Sequence, residues 1–148
     1  MSTSTLTQHL NRILAGETQL ALLTRNAHWN LISFHFKAVH EWLGELYNTT
    51  NTHIDEIAER IRMIDGIANA SLKTYLDESP VPDHSAPIQT EEDTLRLLQD
   101  AHLKLIAAIK EGIFLADEAN DPGTEDFLTG LLREHEKTLW MLKATKGS

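Results

Sequence analysis

Apolar residues recur every three or four positions along four long stretches of the chain, which is the period of an amphipathic α-helix. The first stretch extends from about Leu6 to Ile32, and the second from near Phe36 to about Ile64. A third begins after Thr90 and continues to about Ala119, and a fourth extends from about Thr124 to Lys143. The pattern therefore predicts an all-α protein built from four long helices.

The segments between these stretches predict where the helices end. Gly66 is expected to end the second helix, since glycine is common at that position. Residues 66–90 contain three prolines and predict a long crossover, with a short helical piece around 71–75. Such a connection suits a bundle whose second and third helices run parallel. Between the first and second helices, in contrast, no glycine or proline marks the break.

Two further local signals fix the starts of the later helices. Thr90 followed by Asp93 resembles a capping box, which predicts a helix that begins at this point. The run Asn120-Asp121-Pro122-Gly123 predicts a turn before the last helix.

Length and composition fit a single domain over residues 1–148, with 41% hydrophobic and 24% charged residues. The chain contains no cysteine, which excludes a disulfide framework and a thiolate metal site. Its first residues lack the basic start and apolar core of a signal peptide, and no apolar run is long enough to span a bilayer. We therefore expect a cytoplasmic protein without a membrane partner.

The candidate chemistry lies on the first two helices, where His28, His40, Asp55 and Glu59 are separated by 12, 15 and 4 positions. Imidazole and carboxylate together suit first-row divalent metals such as iron, manganese or zinc. Asp55 and Glu59 share one helix face, whereas His40 and Asp55 would lie roughly 22 Å apart on a continuous helix. One metal ion cannot bind both from the same chain, because its bonds are about 2 Å long.

A second copy of the helix across a two-fold axis would bring His40 of one chain near Asp55 and Glu59 of the other. The spacing thus predicts a metal site at a homodimer interface. Ferritin-like bundles with an internal di-iron site use Glu-x-x-His motifs. None of the eight histidines here has a glutamate three positions before it, which makes an internal site of that kind unlikely on sequence grounds.

These motifs resemble the Dps family of miniferritins, and the resemblance covers nearly the whole chain. Its central part consists of His28-Trp29-Asn30, Val39-His40-Glu41 and Asp55-x-Ile57-Ala58-Glu59-Arg60. Weaker matches are Tyr75-Leu76, Asp121-x-x-Thr124-x-Asp126 and Trp140.

The resemblance implies a ferritin-like four-helix bundle that assembles into a hollow dodecameric shell. It implies a ferroxidase that oxidises Fe(II) with hydrogen peroxide, or with O2, and stores the ferric product inside. His28 and His40 would come from one subunit and Asp55 and Glu59 from its two-fold mate, with Glu59 bridging two irons and Trp29 beside them. Asp121 and Asp126 would lie at a three-fold pore that admits cations; the local alternative is that they shape the turn and complement the helix dipole.

The sequence departs from the family pattern at two places. Gly44 stands where the family usually carries an acidic ligand for the second iron, so we expect one tight metal position and a weaker second one. The usual Gly-Gly pair after the second helix is Asp65-Gly66 here.

The other histidines have no ligand-like partners at helical spacing. His53 lies two residues before Asp55 and is expected on another helix face. The remaining five are interpreted as surface or packing residues, with an accessory metal contact as the lesser alternative: His9, His35, His84, His102 and His135.

DNA binding is predicted to be weak or absent. The chain carries a formal charge of −9, and its first basic residue is Arg12, whereas binding a polyanion requires basic groups that displace counterions. Two alternatives to a ferroxidase remain: a shell that buffers Zn(II) or another divalent metal at the same site, and a nucleoid-binding structural protein with a weak metal site.

Overall fold

The computed structural model describes residues 3–145, and within that range it is all-helical. The four long helices are α1 (Thr3–Asn30), α2 (Phe36–Met63), α4 (Glu91–Glu118) and α5 (Pro122–Ala144). A short α3 (Leu72–Glu78) lies in the crossover between α2 and α4. Helix α1 packs against α2, α3 and α4, and α4 packs against α5. The predicted four-helix bundle with a long crossover is confirmed.

The core of the bundle consists of aliphatic side chains from the apolar stripes that the sequence pattern shows. Each long helix contributes fully buried members, among them Leu10, Ile13, Leu43, Ile57, Leu105, Ile109, Leu128 and Leu142. Burial of this kind contributes about 25 cal/mol for each Å² of apolar surface removed from water, which makes the stripes the main source of stability. Among the described residues, no helix is both long and apolar enough to cross a membrane.

Helix starts follow the local signals closely. The Thr90 hydroxyl accepts a hydrogen bond from the backbone N–H of Asp93 at 3.0 Å, as the capping pattern predicts. Asp121 caps α5 in the same way, accepting from the N–H of Thr124 at 3.0 Å, and Pro122 occupies the first turn. Ser71 caps α3, which is longer than the predicted piece around 71–75.

Helix α2 ends at Met63, just before Gly66, where the sequence predicts its end. Asp65, with φ 66°, occupies the left-handed region, and Gly66 donates its N–H to the carbonyl of Ile61 at 2.9 Å. Gly66 is needed for a different reason: a Cβ at this position would lie 2.5 Å from the Thr7 methyl carbon Cγ2. The glycine therefore permits a close approach between the chain and α1, and Asp65 makes the turn.

The break between α1 and α2 is held by contacts with the start of α4. The N–H of Ile32 donates to the carbonyl of Gln89 at 2.8 Å, and the Ser33 hydroxyl donates to the Glu91 carboxylate. The same carboxylate contacts Nδ1 of His35 at 2.9 Å. Hydrogen bonds from Ser33 and His35 lower the pKa of Glu91. Residues distant in the sequence thus order a turn that contains no glycine or proline.

Candidate metal centres

His28 and His40 lie together where α1 ends and α2 begins. Their rings stack with centroids 3.7 Å apart and an interplanar angle of 9°. Nδ1 of His28 donates to the backbone carbonyl of His40 at 2.7 Å, and Nδ1 of His40 donates to the carbonyl of His28 at 2.6 Å. The sequence grouped these two residues by motif, and the structure places them side by side.

The reciprocal hydrogen bonds determine which ring nitrogen is available to a metal. A carbonyl oxygen only accepts, so each Nδ1 must carry the proton and, in the neutral ring, each Nε2 keeps its lone pair. Metal-binding histidines are usually oriented by such a bond from the other ring nitrogen. Both Nε2 atoms are therefore available as ligand atoms, and both side chains are half-buried.

Asp55 and Glu59 lie on the same helix as His40 but far from it. Helix α2 is continuous over Phe36–Met63, so the 15 positions between His40 and Asp55 correspond to roughly 22 Å. Both acidic side chains are exposed. Within the described range, neither makes a hydrogen bond or an ion pair, so one subunit brings the two histidines together and leaves the two carboxylates unpartnered.

Gly44 lies against the histidine pair, one helical turn after His40. A Cβ built on it would be 3.2 Å from Cε1 of the His28 ring and 3.6 Å from its Nδ1. An acidic side chain at this position would therefore reach the metal-binding face of His28. Its absence removes one anionic ligand from the set that the family pattern includes.

Asp121 and Asp126 have different surroundings. The Asp121 carboxylate accepts from the Thr124 backbone and hydroxyl and from Nη2 of Arg60, at 3.1 Å for the last. Burial raises its pKa, but the bonds from Thr124 and Arg60 outweigh that effect, and the net pKa lies below its ordinary value. Asp126 is exposed. Asp121 thus has the structural role of capping α5, and the pore assignment of both residues stays a prediction.

A buried polar group lies inside the bundle that sequence spacing did not bring together; of its members, His102 and His135 were interpreted as surface or packing residues. Glu17, His53 and His135 offer ligand atoms that all lie within 4.8 Å of one another, and His102 contacts His135. Each comes from a different long helix, so none has a partner at helical spacing. A signal was present, however, because each interrupts an apolar stripe; Glu17, for example, lies between buried Leu14 and Leu20.

Comparisons with known proteins agree with this architecture. The family model of the ferritin-like domain matches residues 7–147. The chain is 36% identical over 141 residues to the DNA protection during starvation protein of Agrobacterium fabrum, covering 95% of this chain and 87% of that protein. The Dps protein from Bacillus brevis superposes with a TM-score of 0.91 at 31% identity, covering 96% of this chain and 95% of that one.

A third similar structure is the DPS protein from Vibrio cholerae O1, described as a member of a broad superfamily of ferritin-like diiron-carboxylate proteins. It has a TM-score of 0.91 at 30% identity and covers 96% of this chain and 89% of its own. Such coverage, with the bundle and its motifs, places the chain in the ferritin-like family. Within that family it is a Dps miniferritin.

Proposed function

We propose that the protein is an iron-storage and detoxification shell that oxidises Fe(II) with hydrogen peroxide at sites shared between two subunits. The observation that carries the proposal is the stacked pair of His28 and His40, whose Nδ1 atoms are bonded to backbone so that both Nε2 atoms are available. Asp55 and Glu59, exposed and unpartnered within the described part of one subunit, supply the oxygen ligands from a two-fold mate.

A partner subunit would also cover the apolar surface that surrounds the histidine pair. Trp29 is 64% exposed, Ile32 74% and Phe34 97%, and all three flank the turn between α1 and α2. Large apolar side chains exposed together commonly mark an interaction surface. Closed homo-oligomers are the usual assemblies of soluble proteins, and the similarity to Dps structures favours a dodecamer.

The ligand set suits the substrate on chemical grounds. Iron enters as Fe(II), and the carboxylates of Asp55 and Glu59 favour the Fe(III) product, because hard anionic oxygen stabilises the higher charge. Peroxide accepts two electrons and each Fe(II) supplies one, so a pair of ferrous ions and two protons convert one peroxide to two waters without releasing hydroxyl radical. Asp121 and Asp126 would draw cations toward the interior if they line a pore.

DNA binding is not part of the proposal, although relatives carry a DNA-protection name. The chain has a formal charge of −9, and Arg12 is its first basic residue. We expect no stable complex with duplex DNA at neutral pH and physiological salt. A tight gel-shift complex under those conditions would contradict this expectation.

The test is anaerobic Fe(II) oxidation by added peroxide, followed by ultraviolet absorbance, for wild type beside Asp55→Ala. Wild type should consume about two Fe(II) for each peroxide, and the variant should be slower by at least about tenfold because it loses an oxygen ligand. Glu56→Ala is the matched control, since Glu56 is an exposed acid on the same helix but points about 100° away.

Equal rates in wild type and Asp55→Ala would show that oxidation occurs elsewhere. The leading alternative would then be a shell that buffers divalent metal, which the missing acid at Gly44 favours. Calorimetric titration with Zn(II) and Fe(II) separates the two functions, because a buffer binds both ions without oxidising the second.

A further inference from the structure

Four helices each contribute one polar side chain to the same position inside the bundle. Glu17 comes from α1, His53 from α2, His102 from α4 and His135 from α5; their exposed fractions are 0%, 7%, 5% and 2%. Buried polar groups require partners, and buried charges are normally paired or bound to a metal. The cluster therefore needs an explanation apart from the packing of the apolar core.

His53 presents a ring nitrogen that has no partner. Its Nε2 contacts the carboxylate of Glu134, which accepts the Nε2 proton. In the neutral ring Nδ1 then carries a lone pair. Nδ1 of His53 and Oε2 of Glu17 are the buried side-chain atoms without a hydrogen bond among the described residues. They lie 4.0 Å apart, beyond hydrogen-bond distance, so neither buried atom satisfies the other.

His135 is placed beside these two atoms by a second chain of hydrogen bonds. Its Nε2 lies 2.5 Å from Oε1 of Glu17, and its Nδ1 lies 2.8 Å from Nδ1 of His102. A carboxylate only accepts, so Nε2 of His135 donates to Glu17 in the metal-free cluster, and a bound cation would displace that proton.

We propose that Glu17, His53 and His135 bind a divalent first-row transition-metal ion inside each subunit, at a site separate from the shared interface. Two imidazoles and one carboxylate form a ligand set found in zinc and non-haem iron sites. Metal-binding histidines are usually held by a carboxylate or another acceptor on the opposite ring nitrogen, which is the role of Glu134 for His53 and of His102 for His135.

The distances require only small shifts: the contact of 2.5 Å between Nε2 of His135 and Oε1 of Glu17 has to open, and the gap between His53 and Glu17 has to close. Two bonds of about 2.0–2.1 Å that meet at a tetrahedral angle separate their ligand atoms by about 3.3 Å. The gap of 4.0 Å between Glu17 and His53 therefore has to close by less than 1 Å. The site also differs from an internal ferritin-like centre, because it contains no Glu-x-x-His pair.

A route from solvent leads to the cluster. A groove of about 750 Å³ between α2 and α5 is lined by His53 and Glu134, with the acidic Glu56 and Asp126 beside them. Carboxylates around an opening attract cations, although Arg133 and Lys137 on the same groove offset part of that field. Glu134 is 59% exposed at its side chain and joins the groove to the buried ring of His53.

The test is zinc content after equilibrium dialysis, with Zn²⁺ as the probe and elemental analysis as the readout. Asp55→Ala removes an interfacial ligand and should retain one tightly bound zinc per subunit. Adding Glu17→Gln, which keeps the shape of the side chain, should abolish that zinc. Adding His9→Gln instead is the matched control and should leave it, because buried His9 bonds to the Ala108 carbonyl and lies outside the cluster.

A second variant covers the case in which Glu17→Gln does not fold. His53→Gln alters the rim of the cluster, and the helical circular dichroism spectrum checks the fold. With Co²⁺ in the Asp55→Ala background, the visible d–d bands should be lost on His53→Gln. Zinc and cobalt that are unaffected by either change would overturn the proposal, as would Asp55→Ala protein that binds no metal. Iron oxidation is not measured, so this outcome is independent of the proposed ferroxidase.

Discussion

The two histidine groups of this subunit differ in whether one chain brings all of their proposed ligands together. The stacked pair of His28 and His40 is half-buried at a helix turn, and its carboxylate partners lie elsewhere on the surface of the same chain. The group of Glu17, His53 and His135 comes together within one subunit and is almost wholly buried. As proposed above, the first becomes a metal site only on assembly, whereas the second requires only folding.

That difference separates function from stability. The exposed residues Asp55 and Glu59 can be substituted with little effect on the stability of the bundle. Surface substitutions usually alter stability by less than about 0.5 kcal/mol. Buried polar groups depend on one another, because removal of one partner leaves the other desolvated and unpaired. Substitutions in the two groups should therefore give opposite patterns in unfolding and in iron oxidation.

The largest expected effect is the loss of stability on removing His135. His135→Ala should destabilise the subunit by about 3–5 kcal/mol, because Glu17 loses its buried partner and a cavity forms. The melting temperature, followed by circular dichroism in the presence of a chelator and at one protein concentration, should fall by roughly 10 °C or more.

Asp55→Ala, measured beside it, should change the melting temperature little while it abolishes most iron oxidation. Similar losses of stability in both variants would remove the distinction between the two groups. The chelator matters because bound metal stabilises the folded state by mass action.

A smaller loss of stability is expected when the contact between α2 and the start of α5 is removed. The Arg60 guanidinium donates to the Thr124 hydroxyl at 2.9 Å and to Asp121 at 3.1 Å. Arg60 is next in sequence to Glu59, the proposed interfacial ligand. Arg60→Ala should cost about 1–2 kcal/mol, since these charge-assisted bonds are only partly exposed to solvent. Exposed Arg96, which pairs with Asp93 within α4, is the control, and Arg96→Ala should shift the melting temperature far less.

The same contact predicts a dependence on pH. Because the folded protein lowers the pKa of Asp121 from its ordinary value of 3.8, this group stabilises the fold above that pH, and the contribution is lost as the pH falls through the folded pKa. Asp121→Asn keeps a capping oxygen and loses the charge, so it should cost about 1 kcal/mol at pH 7. A gap in melting temperature that persists unchanged below the folded pKa would contradict the assignment.

The smallest expected effect is on metal affinity, when a carboxylate is added at Gly44 beside the histidine pair. Gly44→Asp places a carboxyl group beside the His28 ring, which must move by a few tenths of an ångström. Zinc binding in the otherwise wild-type shell should tighten by about threefold or more, as an added anionic ligand favours a cation. Gly44→Asn is the matched control, because it adds a side chain of the same size at the same place without the charge.

Prediction from the sequence succeeded where the information was local. Helical periodicity gave the four long helices to within a few residues, and the capping roles of Thr90 and Asp121 followed from short motifs. It placed the end of α2 close to the observed last residue, Met63, but did not identify Asp65 as the residue with the positive φ. A turn motif does not reveal that Gly66 must also pass close to Thr7 on a distant helix.

The proposed interfacial group could be named from the sequence because its members follow a motif. The distance of its carboxylates from His40 follows from the length of one continuous helix. The buried group had no such signal, since Glu17 and His135 are 118 positions apart. A polar residue on an apolar stripe shows that something is buried, but its partners become known only when the other helices are in place.

The sequence by itself determined the helices, their caps and the residues of the interfacial candidate, because hydrogen bonds within a turn and the period of a helix act over a few positions. The tertiary structure decided the turn between α1 and α2, through Glu91, and the meeting of Glu17, His53, His102 and His135. Both depend on side chains brought together by burial of the apolar core, a force that acts without regard to distance along the chain.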